Sequence, residues 1–192
     1  LIGRTSPRLD VPAKVNGAAR FGIDVRLPGM RHAALRLCPM LGGAPGRVDA
    51  RAALAMSGVQ RLVMLPAYAG STAGFALVAD NHWQAQRAAQ AVQVEWRPRP
   101  QGAIDTRRIA SRLREALEGG AAHTFHERAD VEGVAPTSAR TIAATYSTAC
   151  LAHGALEPMN ATARVRAGRV EVWAPTQVPQ MCRAAAARVA GV

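Results

Sequence analysis

Short stretches of alternating apolar and polar residues dominate the first hundred positions of the chain. In residues 31–37, Ala33, Leu35 and Leu37 share one face, and this period of two is typical of a strand. The compact apolar run at 74–79 also indicates a strand. The same criteria predict further strands at 19–25, 59–65 and 92–96 and short helices at 49–56 and 81–90. The remaining segments are predicted to be irregular, with an extended arm at 3–12, a turn at 14–17 and a loop at 39–46. Asp80 is predicted to be the N-cap of the second helix, because its carboxylate can accept hydrogen bonds from free N–H groups.

The pattern changes after the Arg-Pro-Arg-Pro segment 97–100, which indicates a linker. Beyond it, Ile109, Leu113 and Leu117 recur at every fourth position, as on the apolar face of a helix that Asp105 could cap. After this helix ends at 119–120, the pattern predicts a strand at 141–148, a hairpin of strands 162–166 and 169–173 that turns at 167–168, and a helix at 179–190 with proline first.

Helices and strands therefore mix without a repeat, which predicts an α+β fold. The linker defines the expected organisation: an N-terminal arm at 1–18, a first domain at 19–97, the linker at 98–104, and a second domain, cut short, at 105–192. Because the chain starts with Leu1 and stops just after a predicted helix end, we expect it to be a piece of a longer protein.

Composition excludes several classes of protein. The 192 residues are 49% hydrophobic, enough for a real core, and no apolar run approaches the roughly 20 residues that cross a bilayer. The net charge of +11 comes from 24 basic residues, of which only Lys14 is a lysine. The arginines are scattered and aromatic residues make up 4% of the chain, so we predict no nucleic-acid partner; binding driven by arginine alone would weaken steeply with salt.

Cysteine and histidine spacing does not indicate a metal site. The chain has 3 cysteines, none in a CxxC pair, which argues against a disulfide framework or a zinc site. His123 and His126, followed by Glu127, could share a helix face and bind a metal. They follow two glycines and have no third histidine or cysteine nearby, so a solvated loop is the favoured interpretation. His32 and His82 are expected to be structural or surface residues.

A histidine and a glutamate four residues apart form the more interesting pair. His153 and Glu157 lie between a predicted strand and a predicted hairpin, in a loop, where functional residues concentrate. The pair could transfer a proton or contact a cofactor. Without a nucleophile it specifies no reaction, and from the residues alone a His–Glu hydrogen bond that holds the loop is favoured. The chain contains no GxSxG, Walker or GxGxxG motif.

Several segments, in order along nearly the whole chain, resemble the large subunit of the molybdenum hydroxylases, the xanthine oxidase and aldehyde oxidase family. The matching segments of the first domain are RLD at 8–10, KVNG at 14–17, Asp24, LPGMRHA at 27–33, SGV at 57–59, ALVADNHWQA at 76–85 and VQVEW at 92–96. Those of the second domain are LAHGALEPMNATA at 151–163 and VWAPTQVPQ at 172–180. The latter are similar to the branch of isoquinoline 1-oxidoreductase β-subunits and membrane-bound aldehyde dehydrogenases.

The resemblance implies an α/β hammerhead domain at 19–97 and the first elements of a molybdopterin-binding domain at 105–192. It implies a parent enzyme that hydroxylates N-heterocycles or oxidises aldehydes, with oxygen taken from water. A molybdenum–molybdopterin cofactor would accept two electrons and pass them to a small [2Fe-2S] subunit, and in this branch often onward to a cytochrome c. Export by a twin-arginine signal is common in the branch, so a periplasmic or membrane-associated parent is implied, with the cytoplasm as the alternative.

The same resemblance implies which residues lie near the cofactor. His153, Glu157 and Gln177 are the candidates for lining or supporting the pocket, and no metal ligand is assigned. The family's glycine-rich GGGFG-type segment and its late catalytic glutamate are expected outside these 192 residues, so no catalytic residue is placed in the chain. In the xanthine oxidase branch a glutamine lies two residues before the matched histidine, and Leu151 stands there in this sequence.

Two functions of different class follow. The favoured one is a fragment of an oxidoreductase large subunit, inactive alone and without bound cofactor. The alternative is a non-catalytic interaction module built on the hammerhead domain. A GGGFG-type loop and a catalytic glutamate encoded downstream would support the first, whereas a stop codon directly after Val192 would contradict it.

The predicted linker can be tested by limited proteolysis with a protease of broad specificity. We expect cleavage in or near residues 97–102 before any cleavage inside residues 19–96, because exposed, weakly bonded segments are cleaved first. Mass spectrometry of the fragments would locate the cuts. Early cleavage within 74–79 would contradict the boundary.

Overall fold

The computed structural model describes residues 2–68, 70–102, 104–119, 123, 140 and 142–192. Its elements, in chain order, are α1 (Val11–Val15), a 3-10 helix (Gly22–Asp24), β1 (His32–Leu37), β2 (Ala44–Asp49), α2 (Arg51–Leu54), β3 (Val59–Leu65), β4 (Gly74–Ala79), α3 (His82–Ala91), β5 (Gln93–Arg97), α4 (Thr106–Glu118), β6 (Thr162–Arg166), β7 (Arg169–Trp173) and α5 (Pro179–Ala190). The fold is α+β, as predicted. The chain divides into two compact units, one formed by residues 1–30 with 152–192 and one by residues 31–151.

The unit of residues 31–151 is organised by its central strand. β4 lies between β1 and β3 in an antiparallel sheet of order β1-β4-β3. It is the most apolar strand of the chain, and five of its six residues are buried, which explains why it takes the central position. β2 and β5 pair separately, with an irregular register between Pro45 and Val48.

The core lies where β4 meets α3. Phe75 and Leu77 of β4 are fully buried, and they pack with the small side chains Ala88 and Ala89 of the helix. Alanines on this face let the helix axis approach the sheet closely. Trp96 stacks on Phe75 with ring centroids 5.9 Å apart, which connects β5 to the same core.

Arg36 of β1 completes the end of α3. Its guanidinium donates hydrogen bonds to the carbonyl oxygens of Ala89 (2.9 Å) and Val92 (3.0 Å), groups that a helix end leaves without intrahelical partners. It also lies over the Phe75 ring, 5.5 Å from the centroid. One half-buried arginine therefore joins the sheet, the aromatic core and the helix terminus.

The unit of residues 1–30 and 152–192 is built around a hairpin. β6 and β7 pair antiparallel from Thr162 opposite Trp173 to the turn, where Ala167 (φ 49°) and Gly168 (φ 73°) take the left-handed conformation. α5 starts with a proline and ends at a left-handed glycine. Among the described residues, the buried apolar side chains lie between residues 38 and 92, so this unit contributes none of them.

Several sequence predictions are confirmed. The strands at 59–65 and 74–79, the hairpin at 162–166 and 169–173 and the helix at 179–190 have the predicted bounds. Asp105 caps α4, since its carboxylate accepts a hydrogen bond from the backbone N–H of Arg108 at 2.8 Å.

Three predicted segments are wrong. Residues 19–25 form a 3-10 helix and extended backbone instead of a strand, and the Asp24 carboxylate accepts from the N–H of Phe21 at 2.9 Å. The predicted loop at 39–46 contains the start of β2, because pairing with β5 outweighs its proline and glycine residues. In the predicted strand 141–148, the described residues 142–148 are exposed and form no strand. The arm at 3–12 also runs into the short helix α1.

The N-cap of α3 is Asn81 and not Asp80. Asn81 has extended backbone angles, and its Oδ1 accepts from the N–H of Gln84 at 2.9 Å. The Asp80 carboxylate instead accepts hydrogen bonds from the side chains of Arg31 and Gln60. The predicted limits 1–18, 19–97, 98–104 and 105–192 differ from those of the two compact units and stay predictions.

Gly74 is required where β4 passes β1. A Cβ at this position would lie 2.7 Å from the Cα of Leu37 and closer still to the carbonyl oxygen of Arg36, and these backbone atoms cannot move aside. We expect Gly74→Ala to cost about 1–3 kcal/mol of stability, measured by urea denaturation. Gly154→Ala is the matched control, because its Cβ would meet nothing within 4 Å. Equal midpoints for the two variants would contradict the prediction.

The Asp49–Arg51 pair, which joins the end of β2 to the start of α2, predicts a pH effect. Hydrogen bonds from the Arg51 guanidinium and its backbone N–H lower the pKa of Asp49 from 3.8 to about 2. A lowered folded-state pKa adds stability above the unfolded pKa, and that stability is lost as the pH falls through the folded value. We expect Asp49→Asn to be less stable than the wild type at neutral pH, with the difference shrinking between about pH 5 and pH 2. The urea midpoints of both proteins across this range would show it, and a constant difference would contradict it.

Candidate functional site

Glu157 is the predicted site residue that the structure ties most closely to its surroundings. Its side chain is half-buried, and Oε1 accepts hydrogen bonds from the backbone N–H of Ile23 at 3.1 Å and from Asn160 Nδ2 at 2.8 Å. Asn160 Nδ2 also donates to the carbonyl oxygen of Pro158 at 2.8 Å. The carboxylate therefore joins the 3-10 helix near the N-terminus to the loop before β6.

The contact is close because Gly22 has no side chain. A Cβ on Gly22 would lie 2.6 Å from Asn160 Oδ1, 3.0 Å from Pro175 Cδ and 3.2 Å from Glu157 Oε1. Asn160 Oδ1 is buried and, in this part of the chain, has no hydrogen-bond partner. Packing against Gly22 covers this oxygen, so it does not point into open space.

A groove of about 670 Å³ lies beside Glu157 within the same unit. One wall comes from the segment around the 3-10 helix and the other from the end of β7 and the residues after it. The lining residues are Arg20, Phe21, Gly22, Val25, Arg26, Leu27, Glu157, Val172, Trp173, Ala174 and Pro175. The guanidinium of Arg26 is used locally, because it donates to the carbonyl oxygens of Ile23 and Val25.

His153 and Gln177, the other two predicted site residues, are exposed. In the described structure no hydrogen bond joins His153 to Glu157, so the expected His–Glu bond is wrong although Glu157 does hold the loop. Next to Gln177, Thr176 Oγ1 accepts from the N–H of Val178 at 3.1 Å. Leu151 is 89% exposed.

Sequence reasoning missed the partners of Glu157. Asn160 lies in the quoted 151–163 segment, but its spacing from Glu157 gave no reason to single it out. The N–H of Ile23 is a backbone group 134 residues away from Glu157, and no sequence pattern predicts that the two form a hydrogen bond. One signal was available in Gly22. A glycine between two bulky apolar residues, here Phe21 and Ile23, can mark a point where another segment approaches the backbone closely.

The described residues contain no group of three or more histidine, cysteine or acidic side chains placed to hold a metal ion. His126 and Glu127 lie outside the described residues, and His123 is exposed. The three cysteines are free thiols, with Cys38 buried, Cys182 half-buried and Cys150 exposed. None of the helices that the structure describes has the length and apolar character needed to span a membrane.

Comparison with known proteins identifies the class. Residues 115–192 match the molybdopterin cofactor-binding domain. Over 96% of its length, the chain is 29% identical to the B subunit of nicotinate dehydrogenase from Pseudomonas putida, and it covers 16% of that protein. It is 29% identical, over its whole length, to the β-subunit of isoquinoline 1-oxidoreductase from Brevundimonas diminuta, of which it covers 25%. It is 33% identical over 92% of its length to the membrane-bound aldehyde dehydrogenase of Gluconacetobacter polyoxogenes, of which it covers 23%.

The class is therefore that of proteins with a molybdopterin cofactor-binding domain. More specifically, the matched domain and the three relatives together support a fragment of the molybdenum hydroxylase family, as the resemblance of its motifs implied. It spans between 16% and 25% of the length of these curated relatives.

Proposed function

We propose that the chain works as part of the molybdopterin-binding large subunit of an oxidoreductase that hydroxylates N-heterocycles or oxidises aldehydes. The observation that carries the proposal is the match of residues 115–192 to the cofactor-binding domain, within a similarity to three such enzymes that covers at least 92% of the chain. Two of these relatives act, by their names, on nitrogen heterocycles and one on aldehydes. The substrate is in either case a small molecule.

In the complete subunit a molybdenum–molybdopterin cofactor would supply the two-electron chemistry. The described residues do not fit this group by themselves. The carboxylate of Glu157 is engaged by Ile23 and Asn160, and His153 and Gln177 are exposed. The buried oxygen of Asn160 is covered by Gly22 and is closed to a ligand. Our proposal is that the chain supplies a supporting part of the binding domain, with the groups that grip the cofactor in the rest of the subunit.

The three predicted site residues divide into two kinds. His153 and Gln177 are exposed and available to line a pocket once further chain packs beside them. Glu157 supports the loop that carries His153, through its bonds to the N-terminal segment. We propose no catalytic residue in the chain.

The proposal includes partner subunits. Two relatives are named as single subunits of their enzymes, so those enzymes consist of more than one chain. A small [2Fe-2S] subunit that takes electrons from the cofactor, and a cytochrome c beyond it, are the partners we propose.

The isolated chain provides the first test. We expect the purified 192-residue protein to contain no stoichiometric molybdenum and to give no dye-linked oxidation of N-heterocycles or aldehydes, because the glycine-rich segment and the catalytic glutamate that the resemblance implies are expected elsewhere in the parent. Metal analysis and the dye assay would decide it, with the Brevundimonas isoquinoline 1-oxidoreductase as the positive control for turnover. Stoichiometric molybdenum or turnover would show that the active site lies within these residues.

A chimera tests the function directly. This chain would replace the matching quarter of the Brevundimonas β-subunit, and isoquinoline oxidation would be measured beside a deletion of the same segment. Activity in the chimera and none in the deletion is the expected result. A folded chimera as inactive as the deletion would contradict the proposed function.

A further inference from the structure

We propose that Glu157 and Asn160 are positioning residues that hold the N-terminal segment 20–27 in the compact unit of residues 1–30 and 152–192. With Gly22 and Ile23 they form a polar contact that we call the Glu157 latch. The inference rests on the proposed function only in assigning this unit to cofactor binding. The latch itself is a property of the 192-residue chain.

The first argument is the pairing of the latch atoms. Glu157 Oε1 accepts a hydrogen bond from the Ile23 N–H at 3.1 Å, and Asn160 Nδ2 donates a second hydrogen bond to the same oxygen at 2.8 Å. The two hydrogen bonds fix the carboxylate between a loop and a segment 134 residues away in sequence. A charged acceptor makes hydrogen bonds stronger than those of a neutral one.

The second argument is that two of the three charged side chains of segment 20–27 bond within the segment, while the third, Arg20, is exposed. Asp24 accepts from the N–H of Phe21, and Arg26 donates to the carbonyl oxygens of Ile23 and Val25. These bonds shape the 3-10 turn but do not attach it to the hairpin. Attachment by apolar burial is only partial, because Phe21 and Ile23 are 45% and 49% exposed and Val25 and Leu27 are half-buried.

The third argument is steric fit. Gly22 lies against Asn160 Oδ1, Pro175 and Glu157, and any side chain there would push the segment off the loop. The latch therefore requires both a glycine on one side and an amide–carboxylate pair on the other.

The latch sets one wall of the groove described above. Residues 20–27 form that wall, and residues 172–175 form the opposite one. Segment 20–27 lies outside residues 115–192, which match the cofactor-binding domain. We infer that segment 20–27 is a structural part of this domain and that Glu157 holds it there.

Hydrogen exchange of the Ile23 amide in the full 192-residue chain tests the latch. Glu157→Leu puts an apolar side chain of similar size in place of the carboxylate and so removes the acceptor. We expect the Ile23 amide to exchange about tenfold faster in this variant. Glu157→Gln keeps an oxygen acceptor and should retain most of the protection. Faster trypsin cleavage after Arg20 and Arg26, compared between variants by mass spectrometry, would report the same release.

A donor–acceptor swap distinguishes the hydrogen-bond pair from simple packing. Asn160→Asp places two carboxylates together and should release segment 20–27. The double variant with Glu157→Gln and Asn160→Asp restores a donor and an acceptor, and it should recover part of the protection. Packing alone would not produce this recovery.

His153→Ala is the control, since His153 is exposed and forms no bond with Glu157 in the described structure. It should leave Ile23 exchange unchanged. An unprotected Ile23 amide in the wild type, equal exchange in the Glu157→Leu and Glu157→Gln variants, or no recovery in the double variant would overturn the proposal. These outcomes do not depend on molybdenum, so they are separable from a failure of the proposed function.

Discussion

Burial of β4 between β1 and β3 is the constraint on which the unit of residues 31–151 depends. A strand this apolar is stable only with neighbours on both edges and a helix on its face. Phe75 and Leu77 bring α3 into place, and Trp96 brings β5 to the same core. Gly74 and Arg36 then determine how closely β1 can lie and where the helix ends.

Sequence predicted well the elements whose signals are local. The β4 run, the hairpin with its glycine turn and the proline-to-glycine bounds of α5 carry their information within a few residues. The failures at 19–25 and 39–46 have different physical causes. Residues 39–46 include the start of a strand because they pair with β5, a contact between distant segments. Residues 19–25 form a 3-10 turn held by the local bonds of Asp24 and Arg26, with a further bond from the Ile23 N–H to Glu157.

The candidate site shows the same division. Glu157 could be found from sequence, because it forms a pair of ionisable residues with His153 in a loop between predicted strands, where functional residues concentrate. Its partners could not, since one is a backbone N–H and the other an amide whose importance depends on the approach of Gly22. The structure adds a second role for Glu157, whose carboxylate joins two segments, and its predicted place near the cofactor stays a prediction. The place predicted for His153 and Gln177 near the cofactor stays a prediction, and both side chains are exposed in this structure.

The absence of buried apolar side chains from the described part of residues 1–30 and 152–192 has a thermodynamic consequence. The heat-capacity change of unfolding and the dependence on denaturant both scale with the apolar surface exposed. Calorimetry and denaturant titration of this chain will therefore report mainly on the unit built around β4. The unit that carries Glu157 will contribute less to either signal, and its order is better followed by site-specific probes such as amide exchange and proteolysis at defined residues.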